Sequence, residues 1–149
     1  MISPSSIDFE SEKDLIDSLY FFFLFMQVTL LKSKLHRTIV TSVSPDYSGS
    51  LSIDRNLMEA AGFLNNEKIL VGNITNGERF ETYCIPAPAG SGEIALNGAA
   101  AHKGKPGDLL VILTFIQLNP EEAAAWEPRL IVIEEDNTQF KEITNPIAD

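Results

Sequence analysis

Gly49 and Ser50 are adjacent in the stretch Tyr47-Ser48-Gly49-Ser50, and a glycine carbonyl followed by a serine hydroxyl can react within its own chain. Glycine has no Cβ, so its peptide tolerates dihedrals that clash in any other residue. Ser50 Oγ can then attack the Gly49 carbonyl and convert the amide into an ester. β-Elimination of that ester frees the Gly49 carboxylate and leaves a dehydroalanine, which hydrolyses to a pyruvoyl group. The product is an electrophilic carbonyl able to form a Schiff base with an amine, a task otherwise given to a bound cofactor. The dipeptide alone also suits an ordinary turn between strands, and Gly90-Ser91 repeats it further along. Its neighbours decide between the two.

A chain of 149 residues with 44% hydrophobic content suits one globular domain with a sizeable core. The net charge of −10 argues against nucleic acid or an anionic membrane surface as partner. Any acidic ligand must be held by a few cations placed locally, which draws attention to Lys34, Arg37 and Arg79. Cys84 is the only cysteine, so no intramolecular disulfide forms and a reducing cytoplasm is expected. With one cysteine and two histidines, a structural zinc site is not expected. Cys84 reads as a small core residue.

The first 25 residues differ from the rest. A polar, acidic stretch runs from Ser3 to Asp17, and Leu19–Met26 is a dense apolar run. That run is shorter than the ~20 residues that span a bilayer, and acids rather than basic residues precede it, unlike a secretory signal. Residues 1–25 read as a dispensable extension with the true start at Met26, and docking of the run on a membrane as the competing reading.

From Gln27 the pattern is mostly strand. Val28–Leu31 and Thr38–Val43 are β-rich with a basic segment between them, and Leu51–Ile53 continues past the dipeptide. Asp54 is a good N-cap for a short helix through Ala61, closed by Gly62. Ile69–Val71 and Arg79–Ile85 flank Asn76-Gly77, the strongest hairpin signal in the chain. Pro86 to Gly92 reads as a loop and Glu93–Leu96 as a strand. Leu109–Phe115 reads as a strand buried on both faces. Asn119-Pro120-Glu121-Glu122 opens a second short helix. Leu130–Ile133 reads as the last strand, with a frayed polar tail after Asp136. No repeat and no domain boundary is evident. Many short strands with two small helices predict an all-β fold, mainly β and closed into a barrel.

Four blocks stand in order: Lys34-Leu35-His36-Arg37, Tyr47-Ser48-Gly49-Ser50, Thr75-Asn76-Gly77-Glu78-Arg79-Phe80-Glu81-Thr82-Tyr83, and Asn97-Gly98-Ala99-Ala100-Ala101-His102. Together they resemble the pyruvoyl-dependent aspartate 1-decarboxylase family over about Met26 to Phe140. The resemblance implies a six-stranded double-psi β-barrel, spanning 26–149 as a single domain, assembled as a cytoplasmic homotetramer of processed α and β chains. It implies autocatalytic cleavage between Gly49 and Ser50, then decarboxylation of L-aspartate to β-alanine and carbon dioxide for pantothenate and coenzyme A synthesis. The cofactor would be a covalent pyruvoyl group derived from Ser50, with no pyridoxal phosphate and no metal. Thr82 matches the family threonine that assists processing at the oxyanion, and also sits among the substrate-binding positions. Tyr83 matches the tyrosine that returns a proton to the carbanion. Asn97 matches a hydrogen-bonding asparagine, and Tyr47 a site tyrosine.

Arg79 is the expected carboxylate binder because a guanidinium grips a carboxylate bidentately. It is expected on the retained β-carboxylate, with Lys34 as a second cation. Gly98, Ala99 and Ala100 offer backbone amides with little bulk, suited to close approach by a small ligand. His36 fits the family block, with a structural role and a catalytic one both open. Arg79 and Tyr83 are four apart on one strand and share a face; Thr82 faces the other way unless a bulge or strand end brings it round. Gly72 stands where some relatives carry a bulky aromatic.

Two other readings compete. In one, the chain is a non-catalytic double-psi barrel that binds a ligand or a protein, and Gly49-Ser50 is merely a turn. In the other, Ser50 is the nucleophile of a hydrolase, which needs a histidine–carboxylate pair that only His36 or His102 could supply.

Overall fold

The computed structural model describes residues 11–144. The elements run α1 (Glu12–Phe25), β1 (Val28–Ile39), β2 (Ser42–Ser44), β3 (Leu51–Asp54), α2 (Arg55–Ala61), β4 (Lys68–Asn73), β5 (Arg79–Ala87) and β6 (Ile94–Asn97). A 3-10 helix (Gly98–Lys103) follows, then β7 (Leu109–Leu118), α3 (Pro120–Ala124), β8 (Arg129–Ile133) and β9 (Phe140–Ile143). The fold is mainly β, as predicted. Among the described residues nine strands, rather than six, form one hydrogen-bonded order β2-β6-β3-β5-β4-β7-β1-β8-β9, whose end strands β2 and β9 do not pair to close the expected barrel. Parallel pairs (β1–β8, β2–β6, β3–β5) mix with antiparallel ones (β3–β6, β4–β5, β4–β7, β8–β9).

The described residues divide into two compact units. One holds the residues up to Leu30 with Gln117–Trp126, and the other Leu31–Ile116 with the residues from Glu127 on. In the first unit, Ser11 caps α1 by accepting from the Asp14 amide, and no α1 residue is buried. Asn119 and Glu122 form a reciprocal capping box on α3, with Pro120 in its first turn. That is the start the sequence predicts.

The second unit carries the core, built on Leu35, Leu51, Ile53, Leu57, Ile69, Ile94, Leu96, Leu110 and Ile112, all fully buried. Each such side chain contributes about 1.5–3 kcal/mol on leaving water. Cys84 joins them, and its burial beside Glu67 pushes the thiol up to about 11, so it stays protonated and inert. Asp54 caps α2 through the Asn56 amide, and Gly62 closes it in the left-handed region.

Three expectations are corrected. The basic segment does not interrupt the first strand, because Ser33 and Leu35 turn inward while Lys34 and His36 project from the other face. Alternation, not charge, decides whether a strand continues. β7 is not buried on both faces; Leu110, Ile112 and Thr114 are buried and the residues between them only partly. Residues 137–144 are not frayed, since β9 pairs antiparallel with β8 from Ile133↔Phe140 to Leu130↔Ile143; the rest of the tail, 145–149, lies outside the described residues. The polar residues of β9 had hidden an edge strand.

Candidate active site

The chain arrives at Gly49 from a turn and leaves Ser50 directly into β3. Both residues have positive φ, Gly49 at +111, which glycine adopts freely, and Ser50 at +81, which is strained. For serine this region costs on the order of 1–3 kcal/mol and persists only where the surroundings enforce it. They do. Downstream, β3 is held between β5 and β6, and the Asn97 amide donates to the Ser50 carbonyl at 3.0 Å. Upstream, Gly98, itself at φ +58, packs so closely that a Cβ there would meet Gly49 Cα at 2.9 Å and the Tyr47 carbonyl oxygen at 3.1 Å. Ser50 is 3% exposed, and its Oγ is buried without a hydrogen-bond partner. A hydroxyl rarely forgoes a partner inside a protein. This one does.

Gly49 and Ser50 open into a pocket of about 290 Å³. Phe80, Glu81, Thr82 and Tyr83 of β5 line one side, with Asn97, Ala99, Ala100 and Lys103 on the other. Tyr83 Oη lies 3.9 Å from the position of a Cβ on Gly49. Thr82 reaches the pocket without a bulge. β5 keeps regular register with β4 from Gly72↔Arg79 to Lys68↔Tyr83, while β3 pairs with it only from Cys84 onward. Residues 79–83 therefore present an edge not covered by β3, and the pocket lies along it.

The pocket gathers Gly49, Ser50, Thr82, Tyr83, Asn97, Ala99 and Ala100, with Gly98 pressed against the Gly49 peptide. It does not gather Arg79, Lys34, Tyr47 or His36. Arg79 lines a separate pocket of about 240 Å³ with Gly72, Glu78 and Val111, and it makes no ion pair among the described residues. Tyr47 is exposed. Lys34 and His36 stand on β1 opposite Leu130 and Val132 of β8. His36 Nδ1 is buried without a partner; burial first, then Lys34 and Arg37, lowers its pKa and keeps the ring neutral. The Asn97 side chain is spoken for, donating to Ser52 Oγ at 2.9 Å, so its backbone N–H is the group turned to Ser50. Sequence reasoning missed Phe80, Glu81 and Lys103. Phe80 and Glu81 lay inside a block already singled out, whereas Lys103 follows its block and carried no signal.

A family model, aspartate decarboxylase, matches residues 26–140. The chain belongs to that family. It is 48% identical to the aspartate 1-decarboxylase of Myxococcus xanthus over 125 residues, covering 81% of this chain and 96% of that protein. It is 49% identical to the Clostridium beijerinckii aspartate 1-decarboxylase over 120 residues, 80% of this chain and 96% of that one. The Thioalkalivibrio sulfidiphilus aspartate 1-decarboxylase is 53% identical over 112 residues, 75% of this chain and 89% of that one. Every residue lining the Gly49–Ser50 pocket falls inside the segment that matches the aspartate decarboxylases. α1 falls outside it. Among the described residues no group of His, Cys, Asp and Glu could hold a metal ion, and no helix is long and apolar enough to cross a membrane.

Proposed function

We propose that this chain cleaves itself between Gly49 and Ser50 and then decarboxylates L-aspartate to β-alanine and carbon dioxide, the carboxy-lyase step that supplies pantothenate. The observation that carries this reading is Ser50 itself: buried, unpartnered and strained, at the head of a pocket. In maturation Ser50 Oγ attacks the Gly49 carbonyl carbon, and the Gly49–Ser50 amide bond gives way to an ester. Thr82 steadies the oxyanion, a contribution of about 3–4 kcal/mol for one donor. Loss of the Ser50 α-proton expels the Gly49 carboxylate, and hydrolysis of the dehydroalanine releases ammonia.

The surroundings fit the resulting pyruvoyl group, because Gly98, Ala99 and Ala100 leave room beside it and the Asn97 amide holds the adjoining carbonyl. Once formed, that group supplies an electron sink for the pair left behind by carbon dioxide. Tyr83 Oη, beside Gly49, donates the proton that replaces the lost carboxylate. Arg79 holds the retained carboxylate, with Lys34 as the second cation. Within one chain these cations stand outside the Ser50 pocket, which is consistent with a homotetramer in which copies complete one another's sites. We read the mixed sheet as a six-stranded double-psi barrel with further short strands, and place the enzyme in the cytoplasm. His36 we take as structural, a neutral ring on the outer face of β1.

β-Alanine formation from L-aspartate by the purified protein tests the reading. Arg79→Ala should process normally and lose turnover by a factor of roughly 10 or more, since a hydrogen bond to a charged group contributes about 1.5–3 kcal/mol. Normal kinetics in that variant would place the carboxylate site elsewhere.

Residues 1–25 are proposed to be dispensable, because the family match begins at residue 26 and α1 buries none of its residues. A chain started at Met26 should match the full chain in solubility, cleavage and activity. A large loss of folding on truncation would make the segment part of the working protein.

A further inference from the structure

Lys103 touches both halves of this chemistry. It lines the Gly49–Ser50 pocket, and its Nζ lies 2.8 Å from Glu78 Oε2. Its carbonyl accepts from the side-chain amides of Asn73 and Asn76, each at 3.1 Å. Lys103 is thus tied by backbone and side chain to the turn that delivers Arg79. Glu78 lines the same small pocket as Arg79 and is its neighbour in the chain. A free carboxylate there would compete for the guanidinium. The other acid near Arg79, Glu81, is already paired with Lys68 at 3.0 Å. Of the two pairs, Lys103–Glu78 is the less exposed.

We propose that Lys103 is a positioning residue for substrate recognition: by holding Glu78, it keeps the Arg79 guanidinium free for the carboxylate of the incoming amino acid. This rests on the reading of Arg79 as the carboxylate binder. Lys103 needs no contact with the substrate. Its effect passes through the charge of Glu78, so neutralising Glu78 makes it dispensable.

The test compares Lys103→Met, Glu78→Gln and the double variant with the parent. Self-cleavage and Tm are recorded first, and Lys103→Arg serves as the variant that keeps the pair. An exposed pair of this kind changes an equilibrium about two- to fivefold. Lys103→Met should therefore raise KM for L-aspartate by about that factor with kcat unchanged, and the rise should shrink at high salt. Glu78→Gln alone should leave KM at the parent value, and Glu78→Gln on top of Lys103→Met should restore it. Lys103→Arg should behave as the parent.

An unchanged KM in Lys103→Met overturns the proposal. So does a raised KM that Glu78→Gln fails to restore, because Lys103 would then be acting on the substrate directly. Arg79→Ala separates the two levels. If that variant keeps its KM, the carboxylate reading falls and this proposal falls with it. If Arg79→Ala is crippled while Lys103→Met is normal, only this proposal falls.

Discussion

Ser50→Ala should purify as one intact chain and make no β-alanine. Alanine has no oxygen with which to attack the Gly49 carbonyl, so neither the chain break nor the electrophile can form. The variant should nevertheless fold, and its Tm should hold or rise. The hydroxyl it removes is buried without a partner, and such a group costs about 1–3 kcal/mol in unrecovered desolvation. That combination distinguishes a chemical loss from a structural one. Ser50→Cys should cleave slowly, since a thiol can carry out the equivalent shift. Ser91→Ala, the other serine that follows a glycine, should cleave and turn over normally, because Ser91 lies outside the pocket. Fragment masses and a β-alanine assay read all three.

Gly98→Ala should slow maturation about 100-fold, although Gly98 carries no reacting atom. An alanine at φ +58 is strained by about 1–2 kcal/mol. Its Cβ would also stand 2.9 Å from Gly49 Cα, where backbone rather than a flexible side chain must yield. Displacing the Gly49 carbonyl by even ~1 Å from the attacking oxygen costs about 100-fold in rate. A time course of fragment appearance should show that slowing. Gly77→Ala is the control: its φ is +81, yet a Cβ there meets nothing within 4 Å. It should lose some stability and cleave at the normal rate. If the two glycine variants cleave alike, close packing at Gly98 has no part in maturation.

The elements that hold this site were readable from local signals. Asp54 and Gly62 mark both ends of α2, Asn76-Gly77 marks the β4–β5 turn, and Asn119-Pro120 marks α3. Each is a short-range pattern with its own geometry, which is why it survives without tertiary information. β9 was missed because Lys141 and Glu142 are exposed, and an edge strand needs only one neighbour to form. The unbroken course of β1 was missed because three basic residues masked the alternation of Ser33 and Leu35. At the site, the ordered blocks pointed to Ser50, Thr82, Tyr83 and Asn97, and the structure places all four along one pocket. They did not show that Arg79 lies in a different pocket, since shared strand face says nothing about which edge a ligand approaches. Nor did they point to Lys103, whose link to Glu78 spans 25 residues.

The positive φ of Ser50 and its unpartnered hydroxyl fit the proposed break at this peptide bond. The intact mass of the purified wild-type protein tests this most directly. Two fragments should appear, one ending at Gly49 and one beginning at position 50 with its amino terminus blocked as a ketone. A single uncleaved chain, stable through prolonged incubation and inactive on L-aspartate, would contradict it.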